Sequence, residues 1–200
     1  ALPPPQRLAT ALQALRQLGA DSLQFYDHNF FDREADTAPL LEVLARFELP
    51  WWCYARADAL LNLSPRSWQL VERSRLRMAY IGAETADASL LRQMRKGTQP
   101  QQTLEVARLC RAHGIIPELS FMLAPPDDPE GGTERTFEFI RQVKRVNPEA
   151  EIVVYVYTPV PTEAIDGPRH DTGPHPGLCD ALGRPIEWPD SPEAWATNAA

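Results

Sequence analysis

Tyr80-Ile81-Gly82-Ala83-Glu84-Thr85, followed by Arg95-Lys96-Gly97, is the stretch that decides how this chain folds. A short apolar run ends on a glycine and a carboxylate. Gly82 leaves room for a ligand to lie against the backbone. A carboxylate at the C-terminal lip of a parallel strand is where α/β barrels place their chemistry. A helix is predicted to begin near Asp87 and to stop at Gly97.

Outward from that stretch, strand and helix signals alternate. Strands are predicted at 22–27, 51–56, 77–82, 116–123 and 151–157. Between them lie helical patterns. One runs through Leu8, Leu12 and Leu15 to a stop at Gly19. Another starts near Asp36 or Thr37 with Pro39 in its first turn. Ser64-Pro65 reads as a cap followed by a helix-starting proline. Thr98 is expected to cap the helix of Leu104, Ala107 and Cys110, and Thr133 that of Phe137, Ile140 and Val143. Alternation of this kind argues for a parallel sheet.

Within the strands one face is apolar and the other polar or aromatic. Trp52, Tyr54 and Arg56 share a face, as do Glu118, Ser120 and Met122, while Leu119, Phe121 and Leu123 take the opposite side. A doubly wound sheet is covered on both faces and its strands are apolar on both. The alternation therefore favours an α/β fold of the incomplete parallel (β/α) barrel type, with a lined interior. Five strands cannot close an eight-stranded barrel, so the strand at 22–27 is expected at a sheet edge. Residues 1–157 form this partial barrel. From 158 to 200 prolines recur at 159, 161, 168, 174, 176, 185, 189 and 192, which marks a Pro-rich C-terminal cover segment with a short helix at 191–196.

Composition narrows the function classes. The 200 residues are 44% hydrophobic and 24% charged, with a net charge of −7. That balance is globular and disfavours non-specific nucleic-acid or anionic-membrane binding. There is no apolar run of about 18 residues, hence no expected membrane span. Cys53, Cys110 and Cys179 form no CxxC cluster, and the start resembles no signal peptide, so a reducing, cytoplasmic setting is expected. His170 and His175 lie at no metal-ligand spacing. Ala1 in place of an initiator Met points to a piece of a longer protein.

The order of motifs resembles the radical S-adenosylmethionine (SAM) superfamily, in the branch that often carries a cobalamin-binding domain upstream. The residues are Phe25-Tyr26-Asp27-His28-Asn29-Phe30-Phe31, Ala55-Arg56-Ala57-Asp58, Ile81-Gly82-Ala83-Glu84-Thr85 and Met94-Arg95-Lys96-Gly97-Thr98. Phe121 to Pro126, Tyr155 to Pro161 and Glu193-Ala194-Trp195 continue the likeness. The resemblance implies strands two to six of a radical SAM core. It implies a [4Fe-4S] cluster at which SAM is reductively cleaved to start a radical reaction on a small-molecule substrate, with cobalamin-dependent methyl transfer as one outcome. It assigns Glu84 to the ribose hydroxyls or amino group of SAM. It assigns Arg56 to the SAM carboxylate, a task that suits a planar fork. Asp27 and Asn29 are expected beside the cluster, Tyr155 on the substrate side, and Thr85 and Lys96 among the cofactor-binding residues.

Three departures stand against it. The CxxxCxxC cluster loop is absent, so the cluster ligands are expected in an upstream segment and the chain alone is expected to be inactive. Ala124 stands where a glycine is usual, and Val160-Pro161-Thr162 replaces Pro-Gly-Thr. Two other readings stay open: a non-catalytic module that binds a nucleoside-like ligand or a partner, and an unrelated barrel enzyme using Asp27 and Glu84 as acid and base.

Overall fold

The computed structural model of the protein describes residues 2–157. The Pro-rich segment, with Cys179, His170, His175, the Val160-Pro161-Thr162 stretch and the helix expected at 191–196, lies outside the described residues.

Five strands form one sheet in chain order: β1 (Leu23–Phe25), β2 (Trp51–Ala55), β3 (Leu76–Glu84), β4 (Ile116–Leu123) and β5 (Glu151–Val156). Every neighbouring pair is parallel. Sequential parallel order requires a crossover after each strand. The helices that supply these are α2 (Glu34–Phe47), α3 (Ala57–Leu61) with α4 (Pro65–Arg73), α5 (Ala88–Gln93) with α6 (Pro100–Ala112), and α7 (Pro129–Val146), preceded by α1 (Pro5–Gln17). Helices pack side by side, α1 on α2, α2 on α4 and α6 on α7, as one layer.

That layer covers one face of the sheet. Cys53, Ala55, Ala79, Ile81, Ala83, Leu119 and Phe121 are buried beneath it. The other face, carrying Trp52, Tyr54, Met78, Tyr80, Gly82, Glu84 and Glu118, is half-exposed. Among the described residues this parallel sheet carries helices on one side and a polar, aromatic face on the other, a partial (β/α) barrel, as the alternation predicts. β1 lies at the sheet edge, also as expected.

Local chemistry fixes the helix starts. Ser64 accepts the Ser67 N–H and Pro65 opens α4. Asp87 accepts the N–H groups of Ser89 and Leu90. Two caps fall elsewhere than predicted. Gln99, not Thr98, caps α6 and exchanges side-chain bonds with Gln102. Asp128, not Thr133, caps α7 and accepts the Gly131 N–H, with Pro129 at the first helical position. Thr133 instead accepts the Ala124 N–H at 2.8 Å and donates to the Pro129 carbonyl at 2.6 Å. The core stripe of α7 moves with it: Phe139 and Val143 are buried, whereas Phe137 is exposed. The helix containing Pro39 begins at Glu34, so that proline lies inside it. The short helix α3 had no sequence signal of its own.

Candidate functional site

At the C-terminal end of β3 the chain makes an uncommon turn. The register with β4 slips between Gly82 and Glu84, and Glu84 takes φ +63°. A non-glycine residue there costs about 1–2 kcal/mol, and such outliers gather at functional sites. The turn is tightened by Thr85 N–H donating to the Ala83 carbonyl at 2.8 Å. Glu84 is thereby presented on the open face.

Its carboxylate meets the Lys96 ammonium, Oε1 to Nζ 2.5 Å, with both side chains partly exposed. The pair lies over Gly82. A Cβ on Gly82 would stand 2.5 Å from Glu84 Oε1 and 2.9 Å from Lys96 Nζ. The absence of a side chain at Gly82 thus lets the two charged ends settle against the backbone. The backbone of Lys96 is held as well, since Arg56 Nη2 donates to the Lys96 carbonyl at 2.9 Å.

Arg56 is otherwise occupied. Nε and Nη2 donate to the two oxygens of Asp58 at 3.0 and 2.9 Å. This bidentate pair holds the Asp58 carboxyl below its ordinary range. The Arg56 backbone N–H donates to Asn29 Oδ1 at 3.2 Å, which ties the loop after β1 to the end of β2.

Glu84, Lys96, Gly82 and Arg56 line a cavity of about 220 Å³, closed on its other side by Tyr54, Tyr80, Ser120 and Tyr155. The Tyr80 and Tyr155 hydroxyls are 3.4 Å apart. Burial, chiefly, pushes the Tyr80 phenol up to about 12; Tyr155 and Glu84 add to the shift and Ser120 opposes it. That phenol therefore keeps its proton and remains a donor at neutral pH.

The predicted site residues separate into three groups. Glu84, Lys96, Arg56 and Tyr155 share the 220 Å³ cavity. Asp27 and Asn29 line a neighbouring cavity of about 900 Å³, and His28 borders both. Asp27 and Glu84 thus face different spaces, and the acid–base pairing has no geometric support. Thr85 is buried, and its hydroxyl accepts the Asp87 N–H at 3.1 Å, the work of a helix-start brace. Sequence reading left out Tyr54, Tyr80, His28, Thr98 and Ser120. The period-2 pattern on β2, β3 and β4 was the signal for the first two and the last.

The cysteines do not suit a cluster. Cys53 and Cys110 are free and buried on the helix-covered side. Burial raises the Cys53 thiol well above its usual range and the Cys110 thiol to about 12. Iron–sulfur ligation needs accessible thiolates. Among the described residues no group of His, Cys, Asp and Glu could hold a metal ion. No described helix is long and apolar enough to cross a membrane.

Solved structures share this arrangement. One is a radical SAM methyltransferase, TsrM, from Kitasatospora setae, with cobalamin and a [4Fe-4S] cluster bound (TM-score 0.65, 15% identity, over 76% of this chain and 31% of that one). The chain has the fold of the radical SAM core. The same enzyme with tryptophan substrate and a SAM analogue bound gives a TM-score of 0.63 at 16% identity, over 76% of this chain and 30% of that one. Coproporphyrinogen III oxidase (HemN) from Escherichia coli, a radical SAM enzyme, gives 0.57 at 10% identity, over 78% and 37%. The chain thus spans well under half the length of each. No family model matches the sequence, and no curated protein matches it.

Proposed function

We propose that the cavity between Glu84 and Lys96 binds S-adenosylmethionine, and that the chain is the SAM-holding part of a radical SAM enzyme acting on a small molecule. The observation that carries this reading is the Glu84–Lys96 pair laid across Gly82 at the C-terminal end of a central strand. SAM offers a ribose diol and a carboxylate. The diol suits Glu84 and the carboxylate suits Lys96, so one ligand can replace both halves of the internal pair. Lys96 is better placed than Arg56 for the carboxylate, because the Arg56 fork is already filled by Asp58. Arg56 then acts by fixing the Lys96 backbone. SAM, once bound to a reduced cluster, supplies a carbon radical; in this chain Glu84, Lys96 and Gly82 orient the nucleoside, and Tyr80 and Tyr155 close the substrate side. The cluster ligands and any cobalamin domain belong to an upstream segment in this reading.

The test is SAM titrated by calorimetry against the full-length gene product. Each charge-assisted hydrogen bond to Glu84 is worth about 1.5–3 kcal/mol. Glu84→Ala is expected to weaken SAM by roughly tenfold to a hundredfold, and Arg56→Lys by less, since it keeps its charge. Unchanged SAM affinity in Glu84→Ala would sink the assignment.

A second reading, a nucleoside-binding module without radical chemistry, draws on one observation: both described cysteines are buried away from the cavity. Iron content of the full-length protein prepared without oxygen separates the two.

A further inference from the structure

Arg56 stands between two cavities. It lines the one proposed for SAM together with Lys96 and Glu84, and a neighbouring one of about 210 Å³ together with Asn29, Asp32, Glu34 and Asp58. A guanidinium in that place can turn its fork to either side, and Asp58 decides which. Asp58 lies in the first turn of α3, which opens directly after Arg56, so the backbone brings its carboxylate back onto the Arg56 side chain. Asp58 Oδ1 accepts Arg56 Nε–H and the Ala59 N–H, each at 3.0 Å, and Oδ2 accepts Nη2–H at 2.9 Å. Nη2 carries a second hydrogen, and this one falls on the Lys96 carbonyl at 2.9 Å. One residue thus aims the fork at another.

Lys96 sits in a turn that needs holding. It is flanked by Arg95 at φ +54° and Gly97 at φ +69°. A left-handed residue other than glycine costs about 1–2 kcal/mol. The Lys96 backbone is anchored on both sides: its N–H donates to the Leu91 carbonyl at 3.0 Å, and its carbonyl accepts from Arg56. From there the ammonium reaches Glu84 at 2.5 Å. Asp58, Arg56, Lys96 and Glu84 therefore form one chain of contacts from the start of α3 to the end of β3. A partly exposed ion pair contributes little to folding. A bidentate one fixes direction as well as distance, which is what anchoring the Lys96 turn requires.

We propose that Asp58 is a positioning residue of the SAM cavity: it turns the Arg56 fork away from the ligand and onto the Lys96 carbonyl, and so sets where the Lys96 ammonium stands. Its effect on SAM rests on the SAM reading of that cavity; its hold on Lys96 does not. An Arg56 that itself took the carboxylate of the ligand would give the opposite sign, because releasing its fork would add a cation to the cavity.

The test uses the full-length gene product with Asp58→Asn, Arg56→Met and the two combined. Asparagine keeps an oxygen for the Ala59 N–H and loses the charge and the second acceptor. Amide hydrogen exchange without ligand reads the hold directly. The Lys96 N–H is expected to exchange roughly threefold to tenfold faster in each variant, as a local opening, while the Ile81 amide inside β3 keeps the parent rate. By calorimetry, Asp58→Asn is expected to weaken SAM by about threefold to tenfold. Adding it to Arg56→Met should cost nothing more, because two residues that act through one contact do not add. An unchanged Lys96 exchange rate overturns the proposal. So does SAM binding in Asp58→Asn that is as tight as in the parent or tighter, or a double variant whose losses add, wherever Glu84→Ala weakens SAM. If Glu84→Ala leaves SAM unaffected, the SAM reading falls by itself and the exchange rates alone decide the hold on Lys96.

Discussion

Along β3, Ala79, Ile81 and Ala83 turn toward the helices and are buried, while Met78, Tyr80, Gly82 and Glu84 turn the other way and stay half-exposed. The backbone is common to both sets, and only the covering differs. On the helix side, small and branched apolar groups let α3, α4 and α6 approach the sheet closely. On the open side, rings and charges satisfy one another in pairs: Glu84 with Lys96, Tyr80 with Tyr155, Trp52 with Tyr54. One face holds the fold together and the other is free to bind. Residues of the open face can therefore change with less cost to stability than those of the core.

The largest expected effect breaks or keeps that contrast directly. Phe121, fully buried, packs edge to face on Phe139 at 6.2 Å. Phe121→Ala is expected to cost about 3–5 kcal/mol through lost burial and the cavity left behind. Tyr26→Ala, on the open side, loses two ring contacts, at 6.4 and 6.2 Å, and is expected to cost about 0.5–1.5 kcal/mol. Urea denaturation measures both. Equal losses would mean that the open face is structural after all.

Gly82→Ala sharpens the contrast. The new methyl would strike the far ends of Glu84 and Lys96, which can swing away. Unfolding free energy should therefore change by no more than about 1 kcal/mol, partly offset by the better strand propensity of alanine. SAM affinity should fall by roughly tenfold or more, because the two groups that would hold the ligand are displaced. A variant that melts as before yet binds SAM normally would show that the cradle is not the site.

Much of this was legible in the sequence because period 2 survives wherever one sheet face is covered and the other is not. The strands at β4 and β2 were read to within a residue. β1 was read too long: it has one neighbour and only three paired positions, so pairing stops at Phe25 although the pattern continues. The start of α7 was missed for a different reason. Gly131-Gly132 looks like loop, yet a Cβ on Gly132 would lie 2.4 Å from the Pro125 ring, so the glycine serves close packing inside the first turn. At the site, the Glu84 and Lys96 motif was visible. The capture of Arg56 by Asp58 was not, because a motif names residue types but not which partner fills them. Ala124 shows the same limit: it takes φ +52°, the conformation that glycine adopts freely, so the turn persists despite the substitution.

The smallest effect concerns a place where the open face works against stability. Glu118 and Glu151 are register partners on adjacent strands. Burial first, and Glu151 second, raise the Glu118 carboxyl from its ordinary 4.5. A carboxyl whose pKa is higher folded than unfolded holds its proton more tightly in the native state. Its favourable contribution is complete below the unfolded value and is lost as pH rises through the folded one. The penalty is therefore absent in acid and fully present at neutral pH. Glu118→Gln removes the charge and keeps the shape. Like charges opposite each other on neighbouring strands cost roughly 0.2–1 kcal/mol, so the variant should be more stable than the parent by about that amount at pH 7. The gain should vanish below about pH 4.5. Urea midpoints measured from pH 4 to pH 8 check the sign. A gain that grows toward acid would mean that Glu118 is stabilised by a cation.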